Sequence, residues 1–216
     1  MPASAPSPLS LRERRRNEDL TRRREDAIAG ASAIFAAKGF HDAQMSEIAA
    51  AAEVSRNSLY AMFESKERLY QEVIATTFAT ISNSVKQRAG EIADPGERLL
   101  SIIESLFSCY EKNQDLLHIY ARGTHGMPIK VREAMGESSL QMFQSFTSWV
   151  IEVAVHAKRS GYLRGLDAET VAVSLVGSVT TTAARWIELT PERPLSQQSA
   201  KVRAVFAELV ASKGDA

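Results

Sequence analysis

Apolar side chains recur at steps of three and four residues along most of the chain, the spacing that places them on one face of an α-helix. From about Leu20 to Lys38 the repeat includes Ile28 and Phe35, and Gly39 then offers the left-handed conformation in which helices often end. The stretches between the seven Pro and eleven Gly show this helical spacing rather than strand-like alternation. The pattern predicts an all-α protein.

Capping and turn residues divide the rest of the chain into further helices. Asp94-Pro95-Gly96-Glu97 is a strong start signal, because Asp accepts hydrogen bonds from exposed amides, Pro fits the first helical position and Glu97 could reach back as a capping box. Asn113, Asp167 and Ser196 are similar starts. After the first helix, the predicted helices cover about 45–52, 56–62, 65–89, 95–111, 113–122, 129–160, 167–189 and 196–212. These make nine helices in all.

The segment from Ala43 to Phe63 has the pattern of a helix-turn-helix. Its first short helix turns Ile48, Ala49 and Ala52 inward, its second turns Leu59 and Phe63 inward, and Val54 occupies the turn. Ser55 is the natural N-cap of the second helix. The outward positions of that helix are Arg56, Asn57, Ser58, Tyr60 and Ala61.

Such an outward face suits the major groove of DNA. Arg and Asn can pair bidentately with guanine and adenine edges, and hydroxyl groups can bind phosphate. An ordinary helical hairpin with a polar exterior would show the same pattern. The segment alone therefore favours DNA binding and leaves the simpler interpretation open.

Residues 28–74 resemble the DNA-binding domain of the TetR family of bacterial transcription regulators. Ile34-Phe35 and Lys38-Gly39-Phe40 resemble the end of its first helix. The resemblance continues without a gap through Ile48-Ala49, Ala52-Glu53-Val54-Ser55, Ser58-Leu59-Tyr60, Phe63, Ser65-Lys66-Glu67 and Leu69. It implies a dimeric regulator that binds double-stranded operator DNA and senses a small molecule in a helical C-terminal domain.

The resemblance also assigns roles to individual residues. Tyr60 and Lys66 correspond to phosphate-contacting residues, Arg56 takes the place of a common Lys, and Gln44 and Ser46 occupy positions that often touch phosphate. The predicted DNA-binding set is Gln44, Ser46, Ser55, Arg56, Asn57, Ser58, Tyr60 and Lys66. Asn57, Ala61 and Met62 depart from the residues most frequent in the family.

The charges total 26 Lys and Arg against 26 Asp and Glu, but they are unevenly distributed. Residues 1–24 contain seven Arg and three acidic residues, a local net of +4, and Pro2, Pro6 and Pro8 argue against order there. We predict a disordered basic arm over 1–19, a helix-turn-helix domain over 20–64 and a ligand-binding and dimerisation domain over 65–216. The arm could contact DNA or be a solvated tail.

Two features of the C-terminal part bear on ligand and partner. The helix over 167–189 is rich in small residues that permit close helix approach, so it could form a two-fold four-helix interface with the last helix; packing within one chain is the alternative. A mostly apolar effector cavity is expected, lined by the inward faces of the fifth to eighth helices. Its predicted lining is Leu106, Phe107, Tyr110, His118, Arg122, Met142, Phe146, Trp149 and Trp186, with His125 as a further polar candidate.

Other classes of function lack their motifs. Cys109 is the single cysteine, so no internal disulfide or Cys-based zinc site is available, and no cofactor is expected. We expect no membrane span, no secretory signal and a cytoplasmic location. Phosphate loop, HExxH, GxSxG and GxGxxG motifs are absent, so we expect a non-enzyme. The principal hypothesis is a ligand-responsive repressor released from a palindromic operator by a small, largely apolar effector; a non-sensing architectural DNA-binding protein and a helical enzyme or carrier are the alternatives.

Overall fold

The computed structural model describes residues 11–124 and 135–210, and within these ranges it is all-α, as predicted. Nine α-helices lie in the described residues, besides a short 3-10 turn at Leu163–Gly165. They are α1 Leu11–Asp42, α2 Met45–Ala51, α3 Arg56–Met62, α4 Lys66–Gly90, α5 Pro95–Lys112, α6 Gln114–Thr124, α7 Glu137–Arg159, α8 Ala168–Leu189 and α9 Leu195–Val210.

Three of the predicted helix starts are made by the expected side chains. Ser55 accepts a hydrogen bond from the amide of Ser58 at 3.0 Å, and Asp94 accepts one from the amide of Glu97 at 2.8 Å. Asp167 likewise accepts from the amide of Thr170 at 2.8 Å. The reciprocal capping-box bond proposed for Glu97 is replaced by an ion pair, because its carboxylate binds Arg203 of α9.

Two helix boundaries differ from prediction. Helix α1 begins at Leu11, so residues 11–19 are helical and the prediction that they are disordered is wrong. Its Leu, Arg and Glu residues are good helix formers, and that propensity outweighed the charge. Helix α7 begins at Glu137, because Gly136 interrupts the backbone with φ 89°. Residues 129–134 of that predicted helix, the loop residue His125 and residues 1–10 of the arm lie outside the described residues.

Helix α4 connects an N-terminal head to a helical body. In the head, α1 packs against α2 and α4, and α2 packs against α3. In the body, α5 lies between α4 and α9, and α7 packs against α8. Helix α1 also packs against α6, so the head and the body touch at a second place. None of the helices in the described residues is long and apolar enough to cross a membrane.

Candidate nucleic-acid interface and internal cavity

The helix-turn-helix has the interior that its sequence predicts. Ile48, Ala49 and Ala52 of the first helix and Leu59 and Phe63 of the second are all buried. Helix α1 closes this interior at Gly30: a Cβ atom built on that glycine would lie 2.9 Å from the amide nitrogen of Ala52. The α2–α3 turn can therefore lie against α1 only because residue 30 has no side chain.

The outward face of α3 is open, as predicted. Arg56, Asn57, Ser58 and Ala61 are exposed, and Tyr60 is 41% exposed although it is aromatic. The Arg56 guanidinium lies 5.7 Å from the centre of the Tyr60 ring, which is within the range of a cation–π contact. The face therefore presents a guanidinium and a phenol side by side, and both can donate hydrogen bonds to DNA.

The start of α3 is tied by two serines. Besides capping the helix, the Ser55 hydroxyl lies 2.8 Å from the Ser58 hydroxyl. Each serine retains capacity for one more partner, because a hydroxyl offers one donor and two acceptor positions. Both side chains are exposed, so that partner could be a phosphate oxygen of DNA.

Helix α2 begins at an exposed polar corner. Gln44 is its N-cap, and the main-chain amide of Gln44 donates to the Glu47 carboxylate at 3.3 Å. Ser46 is exposed beside it. The Glu47 carboxylate also binds Lys38 of α1, and this hydrogen bond is the main cause that lowers the pKa of Glu47. Glu47 thus remains ionised and ties α1 to α2, while Gln44 and Ser46 face outward.

Lys66 holds the head together as well as lying near its surface. Its Nζ donates to the carbonyl oxygens of His41 and Ala43, at 3.1 Å each, and lies 4.7 Å from the centre of the Phe40 ring. An ammonium group has three donors, so two are used inside the protein and one remains for a phosphate. The two carbonyl bonds leave no local signal in the sequence, because they depend on the kink at Gly39, which brings the end of α1 and the residue after it to α4.

Arg24 is a positioning residue that the sequence analysis had counted among the charges of the arm. Its Nη1 donates to the carbonyl oxygen of Met62 at 2.8 Å, and its Nε donates to Glu72 at 2.8 Å. Its guanidinium also lies 4.4 Å from the centre of the Phe63 ring. Arg24 therefore binds the C-terminal end of α3 to both α1 and α4. An arginine at this position gives no local signal of that role, because its partners lie 38 and 48 residues away.

The body contains an apolar cavity of about 50 Å³. Its lining residues come from helices α4 to α8 and from a position two residues before α7: Ile74, Phe78, Tyr110, Leu116, Leu117, Tyr120, Met135, Ser139, Phe143 and Thr180. The Thr180 and Ser139 hydroxyls donate to carbonyl oxygens of Val176 and Met135, so both are satisfied locally. Burial raises the pKa of Tyr110, which keeps its phenol protonated. The cavity is thus neutral and suited to an apolar group.

Among the nine residues predicted to line a cavity, only Tyr110 lines this one. Leu106 and Phe107 are buried in the core, and His118 and Met142 are half-buried elsewhere. Phe146 and Trp149 pack on each other at 5.6 Å between ring centres, and the Trp186 Nε1 donates to the Arg193 carbonyl oxygen. Their helices were correctly placed, but the rotation of each helix brought other aromatic and aliphatic residues to the cavity.

Arg122 lies at the contact between body and head rather than in the cavity. It is exposed, and its Nη1 donates to the carbonyl oxygen of Ala37 in α1 at 3.0 Å. It belongs to α6, the helix that also supplies Leu116, Leu117 and Tyr120 to the cavity wall. Helix α6 therefore connects the cavity wall with α1 of the head.

No group of three or more His, Cys, Asp or Glu side chains that could hold a metal ion occurs in the described parts of the chain. An N-terminal head with a buried helix-turn-helix interior and an exposed, donor-rich second helix defines a DNA-binding protein of the helix-turn-helix class. A family model described as "Bacterial regulatory proteins, tetR family" matches residues 27–73. Over this segment the chain is similar to the TetR family, and its fold and relatives are those of a DNA-binding transcription regulator.

The transcriptional activator FasR of Mycolicibacterium smegmatis is 28% identical over 178 residues, which cover 82% of this chain and 77% of FasR. The relatives matched are regulators, which supports a non-enzymatic role.

Two solved structures share the fold. The regulator FadR of Bacillus subtilis in complex with stearoyl-CoA superposes with a TM-score of 0.72 at 18% identity, covering 87% of this chain and 99% of FadR. The regulator AibR, in complex with isovaleryl coenzyme A and operator DNA, superposes with a TM-score of 0.68 at 18% identity, covering 88% of this chain and 99% of AibR. At this identity the similarity shows the fold alone.

Proposed function

We propose that the chain is a dimeric repressor that binds a palindromic operator through two copies of α3 and is released by a small, largely apolar effector. The observation that carries the proposal is the open face of α3, with Arg56 and Tyr60 side by side on a buried helix-turn-helix interior. Two heads related by two-fold symmetry would read half-sites about 34–36 Å apart. Repression requires only that the operator be occupied.

The proposed DNA contacts follow from the exposed groups. Arg56 and Asn57 face the bases, whereas Tyr60, Ser55, Ser58, Gln44, Ser46 and the remaining donor of Lys66 face phosphates. We assign DNA binding to the head up to about residue 64, and effector binding and dimerisation to the part that follows. We expect a protein that binds chromosomal DNA to be located in the cytoplasm, where the chromosome lies.

The dimer interface is proposed on the outer surfaces of α8 and α9. Val173 of α8 is 49% exposed and Val205 of α9 is 62% exposed. On the same two helices, Ser174, Ala200 and Ala204 are exposed and small. Pairing this surface with its two-fold copy would bury the exposed valines in a four-helix arrangement.

We propose an acyl thioester of coenzyme A as the effector class. The neutral apolar cavity suits an acyl chain, and FadR and AibR, which share the fold, are each in complex with an acyl-CoA. At about 50 Å³ the cavity is smaller than the ~150 Å³ that holds benzene in an engineered core. A longer acyl chain would therefore have to move the cavity walls, including α6, and Arg122 would transmit that movement to α1.

The test is a mobility-shift assay with the duplex upstream of the protein's own gene, repeated with isovaleryl-CoA, octanoyl-CoA, stearoyl-CoA and free coenzyme A. We expect a shifted complex that an acyl-CoA dissociates and free coenzyme A does not. Expression of a reporter gene placed downstream of the same sequence should rise when the gene for this protein is deleted. Loss of reporter expression on deletion would contradict repression, and indifference to every acyl-CoA would contradict the effector class.

Variants of α3 test the DNA contacts. Tyr60→Phe keeps the ring beside Arg56 and removes only the hydroxyl, so it should weaken binding to all duplexes alike. Arg56→Ala should also reduce the preference for the operator over a random duplex, by roughly 1–3 kcal/mol if a bidentate base contact is lost. Parent-like affinity and preference in both variants would contradict these assignments.

A further inference from the structure

The N-terminal part of α1 projects from the head as a basic helix. Every described side chain from residue 11 to residue 23 is exposed, whereas the buried positions of the helix begin at Ala27. Thirteen residues of α-helix are about 20 Å long. This projecting segment carries six Arg and three acidic residues. Because this segment is already helical, it does not lose the conformational entropy that a disordered arm would lose on binding.

Three of its arginines lie on the side of α1 that faces the helix-turn-helix. Gly30 marks that side, because it touches the Ala52 amide in the α2–α3 turn. Arg12 precedes Gly30 by 18 residues, which is five helical turns, and Arg16 and Arg23 precede it by close to four and two turns. The only non-helical backbone angles in α1 are at Gly39, so this register extends unbroken from Gly30 to Arg12.

The point at which the projecting segment leaves the head is also defined. Arg24 donates to the carbonyl oxygen of Met62, the last residue of α3. The projecting segment therefore starts beside the C-terminal end of α3 and continues outward. Asp19 lies within the same stripe as the three arginines, which leaves a net positive charge on that side.

We propose that this projecting segment is a second DNA-binding element, in which Arg12, Arg16 and Arg23 contact phosphates beside the half-site that α3 reads. The inference rests on the proposed DNA-binding function and extends it. At ~3.4 Å per base pair, a 20 Å helix reaches about six base pairs beyond α3. These contacts are to phosphates and carry no sequence preference.

The test compares the parent with a triple variant, Arg12→Gln, Arg16→Gln and Arg23→Gln. Gln is nearly as good a helix former as Arg, so the segment stays helical, and far-ultraviolet circular dichroism verifies this. A matched control carries Arg88→Gln, Arg159→Gln and Arg193→Gln, which removes the same charge from exposed positions of the body. The probes are a duplex trimmed to the two half-sites upstream of the gene, the same duplex lengthened by ten base pairs on each side, and a random duplex of the longer length.

We expect the parent to bind the lengthened duplex more tightly than the short one, and the triple variant to lose that gain. The slope of log affinity against log salt should fall by about 2.7 per protomer, at 0.9 for each of three phosphates. Between 50 and 200 mM salt the parent should therefore lose about 40-fold more affinity per protomer than the triple variant does. The control variant should match the parent.

The failures are distinguishable. If parent and triple variant share one slope and gain nothing from the longer duplex while both bind the short one, the second element is absent and the DNA-binding function stands. If the parent binds none of the three duplexes, both proposals fall. If the triple substitution leaves DNA binding unchanged but abolishes binding to phosphatidylglycerol vesicles, the segment is a membrane-surface helix and the DNA proposal is overturned.

Discussion

Replacing Gly30 by Ala tests how closely α1 approaches the helix-turn-helix. The added Cβ would lie 2.9 Å from the Ala52 nitrogen and 3.1 Å from the carbonyl carbon of Ala51. Both atoms belong to backbone, so the turn and α1 would have to separate by roughly 0.5–1 Å to restore ordinary contact. Overpacking of this kind costs about 1–3 kcal/mol, and the higher helix propensity of Ala returns about 1 kcal/mol.

The net expectation for Gly30→Ala is a loss of about 0–2 kcal/mol in the free energy of unfolding. Gly90→Ala is the matched control, because a Cβ there meets nothing within 4 Å. The control gains the same helix propensity without the overpacking, so the two variants should differ by the overpacking cost of about 1–3 kcal/mol. The melting temperature of Gly30→Ala should therefore be about 2–12 °C below that of Gly90→Ala, at 2–4 °C per kcal/mol for a chain of this size. The measurement is thermal unfolding followed by circular dichroism.

The same substitution should weaken operator binding more than it weakens the fold. A displaced α2–α3 turn carries α3 with it, and loss of a single bidentate base contact costs about 1–3 kcal/mol, or at least about fivefold in affinity. Binding of the acyl-CoA probes should be unchanged, because the cavity lies in the body. A melting temperature for Gly30→Ala as high as that of Gly90→Ala, together with parent-like operator affinity, would refute the claim of close approach.

Four further predictions follow from single contacts. Lys66→Met should lower the free energy of unfolding by about 1–3 kcal/mol as well as reduce DNA affinity, because two carbonyl partners are left without their donor; denaturant unfolding would show no loss if Lys66 served DNA alone. Arg122→Gln should leave the affinity for acyl-CoA unchanged, by calorimetry, while raising the concentration needed to release DNA, since the bond from α6 to α1 is lost; unchanged release would exclude this link. Phe143→Trp should fill part of the cavity and weaken acyl-CoA binding without affecting operator binding, and parent-like release in the mobility-shift assay would place the effector elsewhere. Asp94→Asn should flatten the acid dependence of the unfolding midpoint: hydrogen bonds, first from the Glu97 amide and then from Tyr162, lower the pKa of Asp94 from 3.8, so its contribution is present above that pH and is lost as the pH falls through the lower folded value. An unchanged pH profile in that variant would contradict a lowered pKa of Asp94 in the folded protein.

The helix plan could be predicted from the sequence because its signals are local. A cap such as Ser55 or Asp94 acts on amides three residues away, and a buried face is defined by neighbours three and four residues apart. For the same reason the interior of the helix-turn-helix and the exposed face of α3 were correctly predicted. The start of α1 was not, since proline and charge were given more weight than the helix propensity of residues 11–19.

The tertiary structure alone decided which side chains from distant helices meet. Leu106, Phe107 and Trp186 sit on the predicted helices but not in the cavity, because the rotation and crossing of each helix are set by packing against several others. The bonds of Arg24, Lys66 and Arg122 each join residues more than twenty positions apart, and nothing in their local sequence marks the partner. Periodicity and capping are properties of one helix, whereas a cavity wall or a tether between head and body is a property of how several helices pack together.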